Sequence, residues 1–391
     1  MRNRRKGRAR MIVTGIIAEC NPLHEGHLHL IKEARRITQA DYILVALSGD
    51  YVQRGMPSVI SREARAHALL RAGADLVVEI PLYSSCCGAD YFARGAVRLL
   101  ESTGVVTDLV FGSESGDIGL IYEAAERIGN ETEEFRSALR EGLRRGLTYP
   151  QARSGAVKDL RLPDTPNDLL AAEYLRALKT SGSSVRPHAV KRIACSSATE
   201  IRNRMIAERA PSDPCLGCDD FSDLLLEALT VSGAGPGSAP DLSAYLDVSP
   251  DLSQRITAQL PFYDTFTGFA GRLKTRNYTY TRISRALLHI LLGMRHVTME
   301  HFDSRYGLCG WIRPIGFRRE SRDLLRGISA NCAVPFLDKL SAADSVLPPD
   351  LSGILDEEIR AEFLYDLMAA RRTGHVKEGV KLGPAKPLVI L

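Results

Sequence analysis

Short apolar segments alternate with helix-like segments in the first third of this chain, and this alternation limits the folds open to it. β-branched apolar runs predict buried strands at 11–18, 42–48, 75–80 and 108–111. The stretches between them predict helices at 26–35, 62–71 and 89–101. Strands that alternate with helices of this length are typical of a parallel sheet with right-handed crossovers. The sequence therefore predicts an α/β fold.

Length and loop composition divide the chain into parts. Since 391 residues exceed the usual size of one hydrophobic core, we expect two domains. The Pro-, Ser- and Asp-rich stretch at 211–220 marks their boundary, with an α/β domain at 11–210 and a mostly helical domain at 211–391. Residues 1–10 hold six basic side chains and are expected to be disordered. They are either an arm for RNA or, as we favour, an extension upstream of a natural start at Met11, where the first strand begins.

The composition excludes several classes of protein. No apolar run approaches the ~20 residues that span a membrane, and a net charge of +4 requires any RNA contact to be a local basic patch. The eight cysteines are scattered, which favours a reducing cytoplasm over a disulfide framework. Cys215 and Cys218 have no second pair at zinc-ligand spacing, so no protein-bound metal is predicted. The sequence leaves the oligomeric state open.

Two histidines stand where the first predicted strand turns into the first helix, in His24-Glu-Gly-His27. A helix N-terminus offers unpaired N–H groups and the positive end of the helix dipole, which suit a phosphate. Gly26 lets the backbone approach a ligand closely, and two imidazoles can stabilise charge during attack at an α-phosphorus. The spacing alone equally allows two surface histidines at a helix start.

Other positions fall at the ends of predicted strands in the same way. Ser48, Gly49, Pro81 and Gly112 lie there, as His24 does. Ligands of parallel α/β sheets bind beyond the carboxyl ends of the strands. The residues alone therefore predict a ligand site at this edge of the sheet.

The stretch at 15–27, Gly-Ile-Ile-Ala-Glu-Cys-Asn-Pro-Leu-His-Glu-Gly-His, resembles the opening of the bacterial tRNA(Met) cytidine acetate ligases, a family of the nucleotidylyltransferase superfamily with a His-x-Gly-His signature. The resemblance continues through the segments at 48–55, 73–81, 111–114, 197–202 and 278–288. Cys20, Leu23 and Glu25 stand where the family pattern has Tyr, Phe and Asn, and Glu25 puts a negative charge beside the phosphate site. This ordered set of motifs is more specific than His-x-Gly-His alone.

The resemblance implies a Rossmann-like nucleotidylyltransferase domain that activates acetate with ATP, assisted by Mg²⁺ on the triphosphate. It implies transfer of the acetyl group to the exocyclic amine of the wobble cytidine of elongator tRNA(Met). His24 and His27 are the implied catalytic residues. The implied ATP contacts are Ile17, Ala18, Glu19, Cys20, Asn21, Pro22, Leu23, His24, Glu25, Gly26, His27, Leu28, His29, Leu30, Gly112, Asn167, Arg192 and Ile193. Read without the resemblance, Asn167 is a helix N-cap, Gly112 a turn glycine and Arg192 a solvated charge.

A further helix start lies at 197–200, after a strand predicted at 185–193. Ser197, Thr199 and Arg202 resemble a Ser-Ser-Thr-x-Ile-Arg signature with which related enzymes hold the β- and γ-phosphates. Ser197 and Glu200 also form a capping box, which explains Ser197 without any ligand.

Two segments are candidates for contact with the other substrates. The segment after the second strand holds Gln53, Arg54 and Gly55. We expect it to border the acetate or RNA side of the site, or else to form an ordinary surface loop. An arginine there can hold a carboxylate through two parallel hydrogen bonds. A basic and aromatic run in the second part provides candidate tRNA contacts, by phosphate binding and base stacking, at Lys274, Arg276, Tyr278, Tyr280, Arg282 and Arg285. A solvated helix face with core tyrosines is the alternative for this run.

Two other functions remain open at this stage. A nucleotidylyltransferase that makes a small adenylated metabolite would share the histidines and the Ser197 region without needing the basic and aromatic run. An RNA-binding protein without catalysis would need only that run.

Overall fold

The computed structural model describes residues 11–129, 137, 140–142, 165–231, 241–375 and 388–391. The basic arm at 1–10, which the sequence predicts to be disordered, lies outside these residues. The chain follows the predicted alternation of strands and helices from its first described residues onward.

Seven strands form one sheet in the described part of the chain, in the order β7-β6-β1-β2-β5-β8-β9. The strands of this sheet are β1 Val13–Ala18, β2 Tyr42–Ser48, β5 Leu76–Ile80, β6 Asp108–Ser113, β7 Arg186–Lys191, β8 Pro314–Phe317 and β9 Val389–Ile390. The first five are parallel, whereas β8 runs antiparallel to β5. A two-stranded hairpin, β3 Tyr51–Val52 and β4 Met56–Pro57, follows β2. The chain steps from β1 to β2 on one side and later to β6 on the other, so a topological switch point lies between β1 and β6.

Helices cover both faces of the sheet and build the second part. They are α1 Glu25–Thr38, α2 Arg62–Arg71, α3 Leu82–Ser85, α4 Ala89–Ser102, α5 Ile118–Gly129, α6 Pro166–Thr180, α7 Ala198–Ala207, α8 Ser222–Val231, α9 Pro250–Gln259, α10 Phe266–Leu273, α11 Tyr280–Leu292, α12 His296–Tyr306, α13 Arg322–Asn331, α14 Ala343–Val346 and α15 Pro349–Thr373. Ile31 of α1 and Leu69 of α2 pack in the core on one face of the sheet, and Phe92 of α4 and Leu175 of α6 pack on the other. None of the described helices has the length and apolar character needed to cross a bilayer.

The second part of the chain also contributes to the sheet. β8 pairs with β5 through Leu76 and Phe317, and β9 pairs with β8. The fully buried Trp311 precedes β8. The sheet predicted for 11–210 is thus completed by strands from beyond residue 210.

A buried ionic cluster of Arg62, Glu79, Arg313, Glu358 and Glu362 joins the two parts. Arg62 donates to Glu79 Oε1 and to Glu362 Oε2, each over 2.7 Å, and Arg313 donates to both oxygens of Glu362. Glu358 Oε2 accepts from Leu82 N over 2.8 Å. All five side chains are almost fully buried, so each guanidinium depends on its carboxylates for charge compensation.

Candidate active site

His24 and His27 are bound to the backbone at the start of α1. His24 is the N-cap residue, and its Nδ1 accepts from Gly26 N over 3.1 Å. The Nδ1 of His27 accepts in turn from His24 N over 3.2 Å, so that two imidazoles form a reciprocal capping box. Because Nδ1 is an acceptor in each ring, the proton of each neutral imidazole lies on Nε2. Each histidine can therefore present an Nε2–H donor to a ligand.

Burial keeps both imidazoles neutral. Burial and the nearby charge of Arg192 lower the pKa of His24. Burial, followed by His24 and Arg192, lowers the pKa of His27 to about 3. The ring centroids are only 4.0 Å apart, so two positive charges there would repel each other. At neutral pH both imidazoles are therefore uncharged, and each can serve as a hydrogen-bond donor.

Gly26 leaves room for the His24 ring. A Cβ atom on residue 26 would lie 2.9 Å from His24 Cε1 and 3.3 Å from Cys195 Sγ. Glycine is needed here because of this close packing, which holds the His24 ring in its capping position.

Glu114 connects two predicted nucleotide contacts, Asn167 and Arg192, on the far side of the switch point. Its Oε1 accepts from Asn167 Nδ2 over 2.5 Å and lies 3.4 Å from Arg192 Nη1. Gly112 pairs with Val190 across β6 and β7, and a Cβ there would have only Arg192 Cγ nearby, at 3.7 Å. Gly112, Asn167 and Arg192 are therefore brought together at the carboxyl ends of β6 and β7.

Two local predictions need correction. Asn167 is not the N-cap of its helix: Thr165 holds that position, and Asn167 lies in the first turn of α6, where its amide reaches Glu114. Gly112 lies inside β6, which continues to Ser113, and does not form a turn after the strand. Both residues nevertheless lie at the predicted edge of the sheet.

A second helix N-terminus lies beside the first. Ser197 caps α7 through the predicted capping box with Glu200. Arg202 donates to Asn21 O over 2.9 Å and to Thr199 Oγ1 over 3.2 Å. Asn21 lies in the loop at 19–24 that leads into α1, which we call the histidine loop. Arg202 therefore ties the start of α7 to the histidine loop.

The β3–β4 hairpin lies between this loop and the second part of the chain. Gln53 N, at the hairpin tip, donates to Glu19 Oε1 over 2.8 Å. On the other side, Ser284 Oγ of α11 donates to Gly55 O over 2.6 Å. Gly55 has a φ of 73°, and a Cβ there would lie 2.4 Å from Arg285 N. The hairpin tip is thus held from both sides.

A family model described as HIGH Nucleotidyl Transferase matches residues 11–378 of this chain. The tRNA(Met) cytidine acetate ligase of Acetivibrio thermocellus is 34% identical, and the match covers 91% of this chain and 94% of that protein. The enzyme of the same name from Fervidobacterium nodosum is 32% identical, with 86% of each chain covered.

The chain belongs to the tRNA(Met) cytidine acetate ligase family.

A solved structure of Thermotoga maritima TmcAL, bound with alpha-thio ATP, matches with a TM-score of 0.82 and 27% identity, covering 97% of this chain and all of that one. The apo form of the same protein gives a TM-score of 0.84 at 26% identity. These matches confirm the predicted α/β nucleotidylyltransferase fold, and they extend across both parts of the chain.

Within this member of the family, the candidate tRNA residues have different environments. Lys274, Arg276 and Arg282 are exposed. Arg285 is paired with Asp247 Oδ2 over 3.0 Å, and Tyr280 is half-buried.

Tyr278 is held within the protein. Its hydroxyl is bonded to Ser249 and Asp251, and the Arg282 guanidinium lies 5.0 Å from the centroid of its ring. Of the two tyrosines, Tyr280 is thus the more accessible for base stacking. His289, which the helical spacing places in line with Arg282 and Arg285, is instead fully buried.

Sequence reasoning missed residues that organise the site. Arg65 is fully buried and donates to Glu19 O, Ser48 O and Gly49 O over 2.7, 3.0 and 2.5 Å. Nothing in the sequence of α2 distinguishes it from a surface arginine. Glu114 was visible only as part of the Phe-Gly-Ser-Glu motif, and Cys195 gave no signal, although its Sγ lies 3.9 Å from His24 Nδ1.

Proposed function

We propose that this chain activates acetate with ATP and acetylates the exocyclic amine of the wobble cytidine of elongator tRNA(Met), forming N4-acetylcytidine. The observation that carries the proposal is the pair of Nε2–H donors of His24 and His27 at the N-terminus of α1, next to the switch point of the sheet. Membership of the ligase family and the likeness to an ATP-analogue complex support it.

In the first step a carboxylate oxygen of acetate attacks the α-phosphorus of ATP, the bond from that phosphorus to the bridging oxygen breaks, and pyrophosphate leaves. His24 and His27 donate to the phosphate oxygens on which charge increases. Arg192, which is exposed and only weakly paired with Glu114, adds positive charge on the β7 side. Gly112, Asn167 and Ile193 are proposed to contact the nucleoside, with the remaining contacts along 17–30.

The β- and γ-phosphates are proposed to lie at the second helix start. Glu200 N is already bonded to Ser197 Oγ, so the donors that we assign to this position are the Ala198 and Thr199 N–H groups and the Thr199 hydroxyl. Ser197 and Arg202 have structural bonds of their own, so we assign them an additional role in shaping this subsite.

In the second step the cytosine amine attacks the acetyl carbonyl carbon. The bond from that carbon to the AMP phosphate oxygen breaks, AMP leaves, and the amine loses one proton to solvent. We propose that Lys274, Arg276 and Arg282 bind tRNA phosphates while Tyr280 stacks on a base, with Tyr278 and Arg285 supporting them.

Mg²⁺ is proposed to arrive on ATP and to neutralise part of the triphosphate charge. In the part of the chain that the structure describes, Glu79, Glu358 and Glu362 are the carboxylates close enough together to share a metal ion. Arg62 and Arg313 already bind two of these carboxylates, so the set does not fit a metal, and no step is assigned to it.

We propose that residues 11–210 carry adenylation and residues 211–391 contribute the RNA surface. All eight cysteines are free, which supports a cytoplasmic location, where the proposed tRNA substrate is found.

The proposal is tested by measuring acetate-dependent pyrophosphate exchange and tRNA affinity in two variants. Replacing Lys274, Arg276, Arg282 and Arg285 by Ala should weaken tRNA binding and its salt dependence while exchange survives, because phosphate contacts release counterions. Arg192→Ala should reduce exchange and leave tRNA affinity unchanged. Exchange that requires a phosphorylated metabolite instead of acetate would favour the metabolite enzyme, and tight RNA binding without ATP turnover would favour a binding protein.

A further inference from the structure

We infer that Arg54, at the tip of the β3–β4 hairpin, binds the carboxylate of the acid that is adenylated. This inference rests on the proposed function, because it assigns the second substrate of the same site. It concerns a small, planar carboxylate, which a guanidinium can bind through two parallel hydrogen bonds.

The layout of the sheet places this substrate near the hairpin. The proposed nucleotide contacts lie on one side of β1, at the ends of β6 and β7, and in the loop that leads into α1. In-line attack requires the carboxylate to approach the α-phosphorus opposite the bond to the leaving pyrophosphate, and we take the edge formed by the ends of β2 and β5 as the side from which it comes. The hairpin begins three residues after β2 ends, and its tip touches Glu19 in the histidine loop.

The cations at this edge can be compared one by one. Arg65 donates five hydrogen bonds, to four backbone carbonyls and to Ser58 Oγ, and it is fully buried. Arg62 and Arg313 are saturated within the buried ionic cluster. Arg202 is buried and bound to Asn21 and Thr199. None of these guanidinium groups is available to a substrate.

Arg54 differs from all of them. Its side chain is exposed, and within the described residues it makes no ion pair or side-chain hydrogen bond. It still lies near the histidine loop, since Gln53 beside it is bonded to Glu19. Burial raises the pKa of Glu19 and the charge of Arg54 opposes this rise, whereas burial lowers the pKa of Arg202 and Arg54 lowers it further. A charged group that the protein leaves unpaired beside a triphosphate site is suited to neutralise an incoming anion.

The backbone beneath Arg54 is held in place. The flanking Gln53 and Gly55 are fixed by the bonds to Glu19 and Ser284, and Gly55 N donates to Val52 O over 2.9 Å. Only the side chain of Arg54 is therefore free to adjust, and a substrate that binds it loses little freedom in the protein.

The test uses the full chain with the variants Arg54→Ala and Arg54→Lys, and Arg71→Ala as a control, since Arg71 is an exposed arginine at the far end of α2. In acetate-dependent pyrophosphate exchange, Arg54→Ala should raise the KM for acetate by about 10- to 100-fold, as expected for the loss of charge-assisted hydrogen bonds. The KM for ATP and the tRNA affinity should not change. Arg54→Lys should lie between Arg54→Ala and wild type, because it keeps the charge but loses the planar fork.

A calorimetric titration of acetate into protein loaded with α,β-methylene-ATP should show the same loss of affinity without any reaction. An unchanged acetate KM together with weaker tRNA binding would overturn the inference and place the guanidinium on RNA. A lower kcat at unchanged acetate affinity would overturn it as well. If wild-type protein shows no acetate-dependent exchange, the proposed function itself fails, and this outcome is distinct from an effect limited to Arg54 variants.

Discussion

Replacing His24 by three different residues should separate its two roles. The Nδ1 atom caps α1, whereas Nε2–H is the proposed donor to phosphate. The amide oxygen of Asn lies near the position of Nδ1, and the amide nitrogen of Gln reaches the position of Nε2. His24→Asn should therefore keep the cap and lose the donor, His24→Gln should do the reverse, and His24→Ala should lose both.

The expected magnitudes differ enough to be resolved. Loss of one preorganised donor costs on the order of 100- to 1000-fold in rate, so His24→Asn and His24→Ala should both slow acetate-dependent pyrophosphate exchange by that factor. Loss of a cap costs about 1 kcal/mol, so only His24→Ala and His24→Gln should lower the free energy of unfolding in urea. A fully active His24→Asn protein would refute the assignment of Nε2 as the donor. Equal stability of all three variants would refute the capping role.

Four further predictions concern Gly26, His27, the basic arm and the buried ionic cluster. Gly26→Ala should reduce exchange nearly as much as His24→Ala, because its Cβ displaces the His24 ring; a normal rate would contradict the close packing. Long-range ¹H–¹⁵N spectra of His27 should show the neutral Nε2–H tautomer from about pH 8 to pH 5, because its pKa is lowered to about 3; titration near pH 6.5 would contradict this. Deleting residues 1–10 should leave ATP and acetate turnover unchanged, because β1 begins at Val13; a large loss would make the arm functional. Burial raises the pKa of Glu358 to about 8, so the folded state holds this proton and the free energy of unfolding falls as pH rises from about 4.5 to about 8. In urea unfolding, Glu358→Gln should therefore become more stable relative to wild type over that pH range. Glu362→Gln should instead lose about 3–5 kcal/mol of stability, because Arg62 and Arg313 lose their shared carboxylate.

Local patterns in the sequence were sufficient to predict the five parallel strands of the sheet and the helices α1, α2 and α4, but not the β3–β4 hairpin or the short α3. Tyr42–Ser48 and Arg62–Arg71 have the predicted bounds, and the capping box at Ser197 is confirmed. These features depend on side chains a few residues apart, so periodicity and capping rules reveal them.

Contacts between distant residues could not be predicted in this way. The addition of β8 to the sheet, the bond from Arg65 to the histidine loop and the pairing of Arg285 with Asp247 join segments far apart in the chain. The capping role of the imidazoles was also hidden, since histidine is not among the usual N-cap residues. The family resemblance implied ATP contacts at Asn167 and Arg192, but it gave no role to Glu114, which contacts both.

The pairing of Arg62 with Glu362 has a consequence for the way the protein is made. The two residues are 300 positions apart, so a ribosome must add this whole intervening stretch to the chain before the second partner exists. Until then Arg62 has no Glu362 to balance it, and while residues 314–317 are still to be made the sheet lacks β8, the strand that pairs with β5. Closing such a long loop is slow compared with local folding. A nascent or prematurely terminated chain that lacks Glu362 thus cannot complete the ionic cluster that joins the two parts of the fold.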